Sequence, residues 1–311
     1  MMLLMLLACG SSNDDGSTAV DPGTELQEIR LALNWFPEPE FGGFYEGALG
    51  GHYERAGFKV EIIPGGPGAP TLELLGSGKA EAAISAADDL LIKRSKGIRA
   101  IGVYPAFQNS PQGLLAHAVT GIETAGDIPT GSTISIEVGS PFQQHLWATY
   151  SWEGQMEAVP YAGLVGSFMT DESSIQQAYI TSEPCIVRSK GGSPVFLEAR
   201  STGWNPYGSL LALPDPLPQW APAFVEATHA GWEAYLANPE KANKAMLDAN
   251  DQLTPELMDC IVDAQKPFLT GEDGLGKMTE ARWTSVNDHL VALGLLPEGS
   301  STETAWKDLL H

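Results

Sequence analysis

Cysteine is scarce in this chain, with three in 311 residues. Cys9, Cys185 and Cys260 have no short spacing among them, which excludes a dense disulfide framework and a cysteine-based zinc set. Basic residues are scarce as well. Seventeen Lys and Arg stand against 39 Asp and Glu, a formal charge of −22, so the chain lacks the clustered cations that a nucleic-acid or anionic-membrane partner requires. The six histidines are scattered singly at 52, 117, 145, 229, 289 and 311. No nucleophile elbow, P-loop or HExxH helix is present, so neither a metal nor a cofactor is expected.

What is there is ample core. A hydrophobic content of 43% with 8% aromatics over this length suits cored globular structure of about two domains. The opening Met1–Ala8 is apolar but far short of the roughly 18 residues that span a bilayer, and it ends at Cys9. Leu6-Leu7-Ala8-Cys9 has the form of a lipobox, where a bacterial signal peptide is cut and the new terminal cysteine is lipidated. No Lys or Arg precedes Arg30, so the usual positive segment is absent; either the true start lies upstream or the match is chance. Residues 1–9 are therefore expected to be a signal peptide with Cys9 lipidated. Residues 10–27, rich in Ser, Asp, Gly and Thr, are expected to be a tether reaching on the order of 20 Å. Cys185 and Cys260 could pair in an oxidising compartment, but free buried thiols are the expectation.

The stretch that organises the chain is Arg30 to Gly66. Ile29, Leu31 and Leu33 alternate with polar or small neighbours as a half-buried strand does, Gly42 to Ala56 has the length and recurrence of a short amphipathic helix, and Phe58 to Ile63 returns as a strand. Strand, helix, strand in one sheet is nearly always parallel and right-handed. The loop Asn34–Gly43 then lies at a strand's carboxyl end, where open α/β sheets bind ligands. Pro64–Gly68 is a turn whose glycines permit positive φ; its N–H groups could meet a ligand at Gly66, and it serves equally well as a plain connection.

Further along, the pattern predicts a buried strand Ala82–Ala86, a helix Asp89–Lys96 opened by Asp88, and a strand Ile98–Tyr104. Leu114–Val119 reads as a strand before the crossing to a second α/β series. Gly139-Ser140-Pro141 has the form of a strand end, helix cap and first-turn proline leading into Phe142–Trp152. Glu157–Pro160 reads as a strand with Tyr161 just beyond, Asp171–Ala178 as a helix, Tyr179–Thr181 as a strand. Val195–Ala199 and Ser209–Leu213 read as a strand pair around Gly203-Trp204-Asn205-Pro206-Tyr207, and the remainder from Pro222 as helices. Lobe one is expected over 28–116 and 210–311, with a helical tail, and lobe two over 117–209.

Three groups of residues carry a resemblance: Asn34-Trp35-Phe36-Pro37 with Gly43-Phe44-Tyr45, then Tyr179-Ile180-Thr181-Ser182-Glu183-Pro184, then Trp204-Asn205-Pro206-Tyr207. In order and spacing they resemble the thiamine-pyrimidine-precursor, hydroxymethylpyrimidine-synthase-like family of ABC-transporter substrate-binding proteins, from about Glu28 to Leu296. The resemblance implies a bilobed, type II periplasmic-binding-protein-like α/β fold with a ligand cleft. It further implies an extracytoplasmic solute binder that hands its ligand to an ABC permease; with the lipobox, the expectation is a membrane-anchored lipoprotein, monomeric. The enzyme branch of that family carries a cysteine-rich motif that this chain lacks, so binding without catalysis is expected.

The candidate contacts are Asn34, Trp35, Phe44, Tyr45, Gly66, Ser85 and Asp88 from one lobe and Ser140, Phe142, Gln143, Tyr161, Glu183 and Tyr207 from the other or the hinge. Aromatic walls with carboxylates suit a planar heteroaromatic such as a thiamine pyrimidine precursor. A flavin-like vitamin would stack in the same walls. The absence of Arg and Lys from these loops argues against a sulfonate or nitrate.

Overall fold

A computed structural model describes residues 25–271 and 274–310; Cys9, the signal segment and residues 10–24 of the tether lie outside the described residues. In chain order the elements are β1 (Gln27–Ala32), α1 (Gly42–Leu49), α2 (His52–Arg55), β2 (Phe58–Ile63), α3 (Thr71–Gly76), β3 (Ala82–Ser85), α4 (Ala87–Ser95), β4 (Ala100–Phe107) and β5 (Gln112–His117). Then follow β6 (Thr133–Ile136), α5 (Pro141–Tyr150), β7 (Glu157–Pro160), α6 (Gly166–Thr170), β8 (Ile175–Tyr179), α7 (Glu183–Ser189), β9 (Pro194–Glu198) and β10 (Gly208–Pro214). Four helices close the chain: α8 (Ala221–Ala237), α9 (Glu240–Ala249), α10 (Pro255–Leu269) and α11 (Glu280–Ala292). None among the described residues is long and apolar enough to cross a membrane.

The strands form two five-stranded sheets, ordered β2-β1-β3-β10-β4 and β7-β6-β8-β5-β9. In the first, β1 runs parallel to β2 and β3 while β10 is antiparallel to β3 and β4. The second repeats the plan, with β6 parallel to β7 and β8 and β5 antiparallel to β8 and β9. One topology is thus built twice, although the sequence has no internal repeat. The expected bilobed α/β fold is the one found.

Several expected elements are corrected. The first crossing precedes β5: residues 112–117 pair with β8 and β9, so they belong to the second sheet, although the reading by residues assigned them through 116 to lobe one. Residues 195–199 and 209–213 are not a strand pair, since β9 lies in the second sheet and β10 in the first. Asp171–Ala178 is no helix. The Asp171 carboxylate accepts from the N–H and hydroxyl of Ser173 at 2.9 and 2.7 Å, turning the chain after α6. Residues 175–179 then run between β6 and β5, buried on both faces, where a strand shows no clean alternation. The Ser-Glu-Pro segment that follows opens helix α7, with Pro184 in its first turn.

The expected free thiols are also corrected, because Cys185 of α7 and Cys260 of α10 form a disulfide across 75 residues. The pairing arises because α10 packs on α7, on β4 and on the 3-10 turn Pro39–Phe41. The tail therefore covers the first sheet and also reaches the second. Gly42 and Gly43 are the seat of α8: a Cβ on either would lie about 2.1 and 2.0 Å from the rings of Tyr235 and Trp232, so only glycine lets the helices approach this closely.

Candidate ligand cleft

The carboxyl ends of the parallel strands in both sheets converge on one cleft of about 490 Å³. Asn34 and Trp35 follow β1, Ser85 ends β3, Glu137 to Phe142 follow β6, Tyr161 follows β7, and Ser182 and Glu183 follow β8. This is where open α/β sheets leave backbone and side chains free, since the helices needed to return the chain begin there.

Two flat faces meet across the cleft mouth. The rings of Trp35 and Tyr161 are parallel to within 2° with centroids 6.4 Å apart. Phe36 braces Trp35 edge-on at 5.5 Å, and Gly163 abuts the far edge of the indole, where a Cβ would come within 3.1 Å. Tyr161 is held by its hydroxyl, which donates to Glu183 Oε1, while Glu183 Oε2 accepts the Tyr179 N–H at 2.8 Å. Both rings are thus set by rigid strand ends, and both present the same orientation to a flat ligand.

Below them is a floor of carboxyl groups. Glu38, Glu40, Asp88 and Glu183 are all buried and none has an ion-pair partner among the described residues. The Ser182 hydroxyl, from the second sheet, donates to Glu38 Oε2 of the first at 2.9 Å. Burial, then the nearby Glu183 charge, pushes Glu38 up to about 8, and burial with Glu38 and Glu183 holds Glu40 well above the usual carboxylate range. Burial also raises Glu183, against the pull of its Tyr161 and Tyr179 bonds. Asp88 stands in the first turn of α4, where the helix dipole favours the anion, yet burial and the charge of Asp89 win and carry it to about 7. The Oδ1 atoms of Asp88 and Asn34 are buried acceptors without a donor, which is uncommon in a folded interior and points to a partner from outside the chain.

Of the residues expected at the site, Asn34, Trp35, Ser85, Asp88, Ser140, Phe142, Tyr161 and Glu183 line this cleft. The others do not. Phe44 is fully buried edge-on against Trp232 at 5.6 Å, and Tyr45 is buried in the same core. Gly66 faces the ring of Phe36, and the close approach in that turn belongs to Gly65, whose Cβ would fall 2.0 Å from the Leu33 carbonyl oxygen. Of the three turn glycines only Gly68 has positive φ, 72°. The Gln143 amide caps the Gly139 N–H at 2.6 Å. Tyr207 is buried behind the cleft, its carbonyl accepting the Ala87 N–H at 3.0 Å and its hydroxyl oxygen accepting the Thr279 N–H at 2.9 Å. Glu38 and Glu40 were missed; the available signal was two acidic residues among prolines in the loop after β1.

Tyr207 belongs to a hinge clasp. Asn205 Oδ1 accepts the Ser110 N–H at 2.8 Å and its amide donates to Asn109 Oδ1 at 3.0 Å, joining the two segments that cross between the sheets. The Arg282 guanidinium from α11 donates to the carbonyls of Gln108 and Asn205, at 3.0 and 3.2 Å, and lies 5.2 Å over the Tyr207 ring.

Two sheets, two crossings and a cleft between them define the class: this is the bilobed α/β fold of the periplasmic binding proteins. Solved structures share it at low sequence identity. The aliphatic sulphonate-binding protein SsuA of Escherichia coli matches with a TM-score of 0.67 at 12% identity, covering 91% of this chain and 92% of its own. The alkanesulfonate-binding protein SsuA of Xanthomonas axonopodis, bound to MOPS, matches at 0.65 and 13%, covering 91% and 99%. By sequence the chain is similar to the riboflavin-binding protein RibY of Chloroflexus aurantiacus, 26% identical over 333 aligned positions that cover 95% of this chain and 91% of that protein. These are binding proteins, not enzymes. The NMT1/THI5-like family profile matches residues 38–242, and the chain belongs to that family.

Proposed function

We propose that this chain is the substrate-binding component of an ABC importer, working outside the cytoplasm and capturing a planar heteroaromatic. The observation that carries this reading is the pair of parallel faces, Trp35 and Tyr161, set over buried acceptors at Asn34 and Asp88 that have no donor within the chain. Stacking on a flat ring adds about 0.5–1.5 kcal/mol per pair beyond burial, while the acceptors select ring N–H, amino or hydroxyl donors. A flavin is the preferred ligand, supported by the riboflavin-binding relative and by a cleft roomier than one substituted pyrimidine fills. A thiamine pyrimidine precursor is the second reading, supported by the family and by carboxyl groups that match an aminopyrimidine edge. The chain acts as a monomer, needs no cofactor, and is tethered by a lipid on Cys9 beside its permease; the two sheets serve as lobes that close on the ligand about the Asn205 clasp.

Native mass spectrometry of protein purified without refolding, followed by calorimetry with riboflavin, an aminohydroxymethylpyrimidine and an aliphatic sulfonate, tests the reading. Binding of a heteroaromatic unchanged in mass is the expected result, and binding of the sulfonate alone would overturn it.

A further inference from the structure

The cleft is short of the means to hold an anion, and this deepens the heteroaromatic reading on which it rests. Four helices start at its wall, α3, α4, α5 and α7, and helix starts are the usual anion seats of α/β proteins. Here most of the N–H groups at those starts are already engaged within the chain. At α3 the Ala69 and Thr71 N–H groups go to the Gly66 and Ala69 carbonyls, Pro70 has none to give, and Glu73 stands in the first turn. At α5 the Gly139 N–H goes to Gln143 Oε1, the Ser140 N–H to the Glu137 carbonyl, the Gln143 N–H to Ser140 Oγ, and Pro141 has none to give. At α4 the first turn carries Asp88 and Asp89, and the Ala87 N–H is bound by Tyr207. At α7 the first turn carries Glu183 itself.

Basic side chains do not make up the deficit. Lys93 and Lys96 are the bases lining the cleft among the described residues. Both stand at the far end of α4, about 12 Å along the helix for Lys96 from Asp88. There they face Glu73 and Asp89: Lys93 pairs with Glu73, and the Lys96 charge acts on both carboxyls. Two cations against two anions leave nothing over, while Glu38, Glu40, Asp88 and Glu183 remain deeper in, and Glu137 beside Ser140. The unpartnered buried atoms of the residues lining the cleft, Asp88 Oδ1 and Asn34 Oδ1, are acceptors that ask for a donor. Protonated carboxyls at Glu38, Glu40 and Asp88 would supply O–H donors but no positive charge, whereas a phosphate dianion needs several donors and a compensating charge.

We infer that the cleft sorts its ligands by charge, taking an uncharged or cationic heteroaromatic and rejecting the phosphate monoester of the same ring. The protein then stands downstream of a phosphomonoester hydrolysis outside the membrane, in which water attacks phosphorus, the P–O bond to the alcohol breaks, and the alcohol and inorganic phosphate are released. The alcohol is the form captured.

Titration calorimetry with riboflavin and riboflavin monophosphate, and with an aminohydroxymethylpyrimidine and its phosphate, decides this. The phosphate ester of whichever ring binds is expected to be weaker by about 100-fold or more at low salt, with the gap narrowing at high salt as charges are screened. The isosteric pair Asp88→Asn and Glu137→Gln, checked for folding by thermal melting, is expected to narrow it further. Equal or tighter binding of the phosphate would overturn the inference while leaving the heteroaromatic reading intact. So would a gap that neither salt nor the substitutions move, since the rejection would then be steric. Failure of every unphosphorylated ring to bind would overturn the heteroaromatic reading, and the inference with it.

Discussion

Cys185, two residues past the cleft carboxyl Glu183, is covalently joined to Cys260 of α10, the last helix but one. The end of the second sheet that carries Ser182 and Glu183 is thereby fastened to a helix that also packs on β4 and on the turn bearing Glu40. The bond holds the Cα atoms of the two cysteines 6.0 Å apart, so it limits how far the two sheets can separate at this corner.

Removing the bond tests that arrangement. Cys185→Ser with Cys260→Ser releases a 75-residue loop in the unfolded chain, and stability is expected to fall by about 2–4 kcal/mol. Denaturant unfolding of oxidised, reduced and doubly substituted protein measures it. Identical midpoints for all three would show that the bridge constrains nothing.

The clasp gives a second prediction. Arg282→Ala takes one guanidinium from two carbonyls and an aromatic face, which is expected to lower stability by about 1–3 kcal/mol and to enlarge the radius of gyration of the unliganded protein. Arg282→Lys should restore only part of it, because an ammonium can donate to both carbonyls as Nη1 does but lacks the planar face that lies over Tyr207. Small-angle scattering with and without saturating ligand reads the change; curves matching wild type in both states would remove Arg282 from the hinge.

For ligand contact, Trp35→Ala is expected to cost about 2–4 kcal/mol of binding, a loss of roughly thirty-fold or more in affinity. Tyr161→Phe keeps the ring but frees Glu183 Oε1, and should cost only about 0.5–1.5 kcal/mol. Calorimetry ranks the two. A larger effect from the hydroxyl than from the indole would place the ligand on the carboxyl floor instead of on the aromatic faces.

The carboxyl floor makes stability depend on pH in an unusual direction. Glu38 goes from 4.5 to about 8 on folding, and Asp88 from 3.8 to about 7, so between those values the folded protein holds more protons than the unfolded chain. Stability from these groups is complete below the unfolded values and is lost as pH rises through the folded ones. The protein without ligand is expected to melt higher at pH 5 than at pH 8, and Glu38→Gln to flatten that slope. A melting temperature that climbs steadily from pH 5 to 8 would contradict it.

Much was legible in the sequence because it is local. The β1, α1, β2 unit, the Ser140-Pro141 cap and the placement of Asn34, Trp35 and Tyr161 past strand ends follow from periodicity, turn residues and the handedness of parallel connections. Helices α8 to α11 showed themselves in the same way, by apolar recurrence and proline starts. The acidity that disfavours anions is likewise visible in composition.

What the tertiary structure alone decided is long-range. Residues 175–179 became a strand because neighbours on both sides bury them, which erases the alternation a single sequence displays. Phe44 and Tyr207 resembled ligand contacts, but Trp232 and Arg282, distant in sequence, draw them into the core and the hinge. The Cys185–Cys260 bond needed α10 laid over α7. Glu38 and Ser182, 144 residues apart, become neighbours only when two sheets close on each other, and no spacing within the chain encodes that contact.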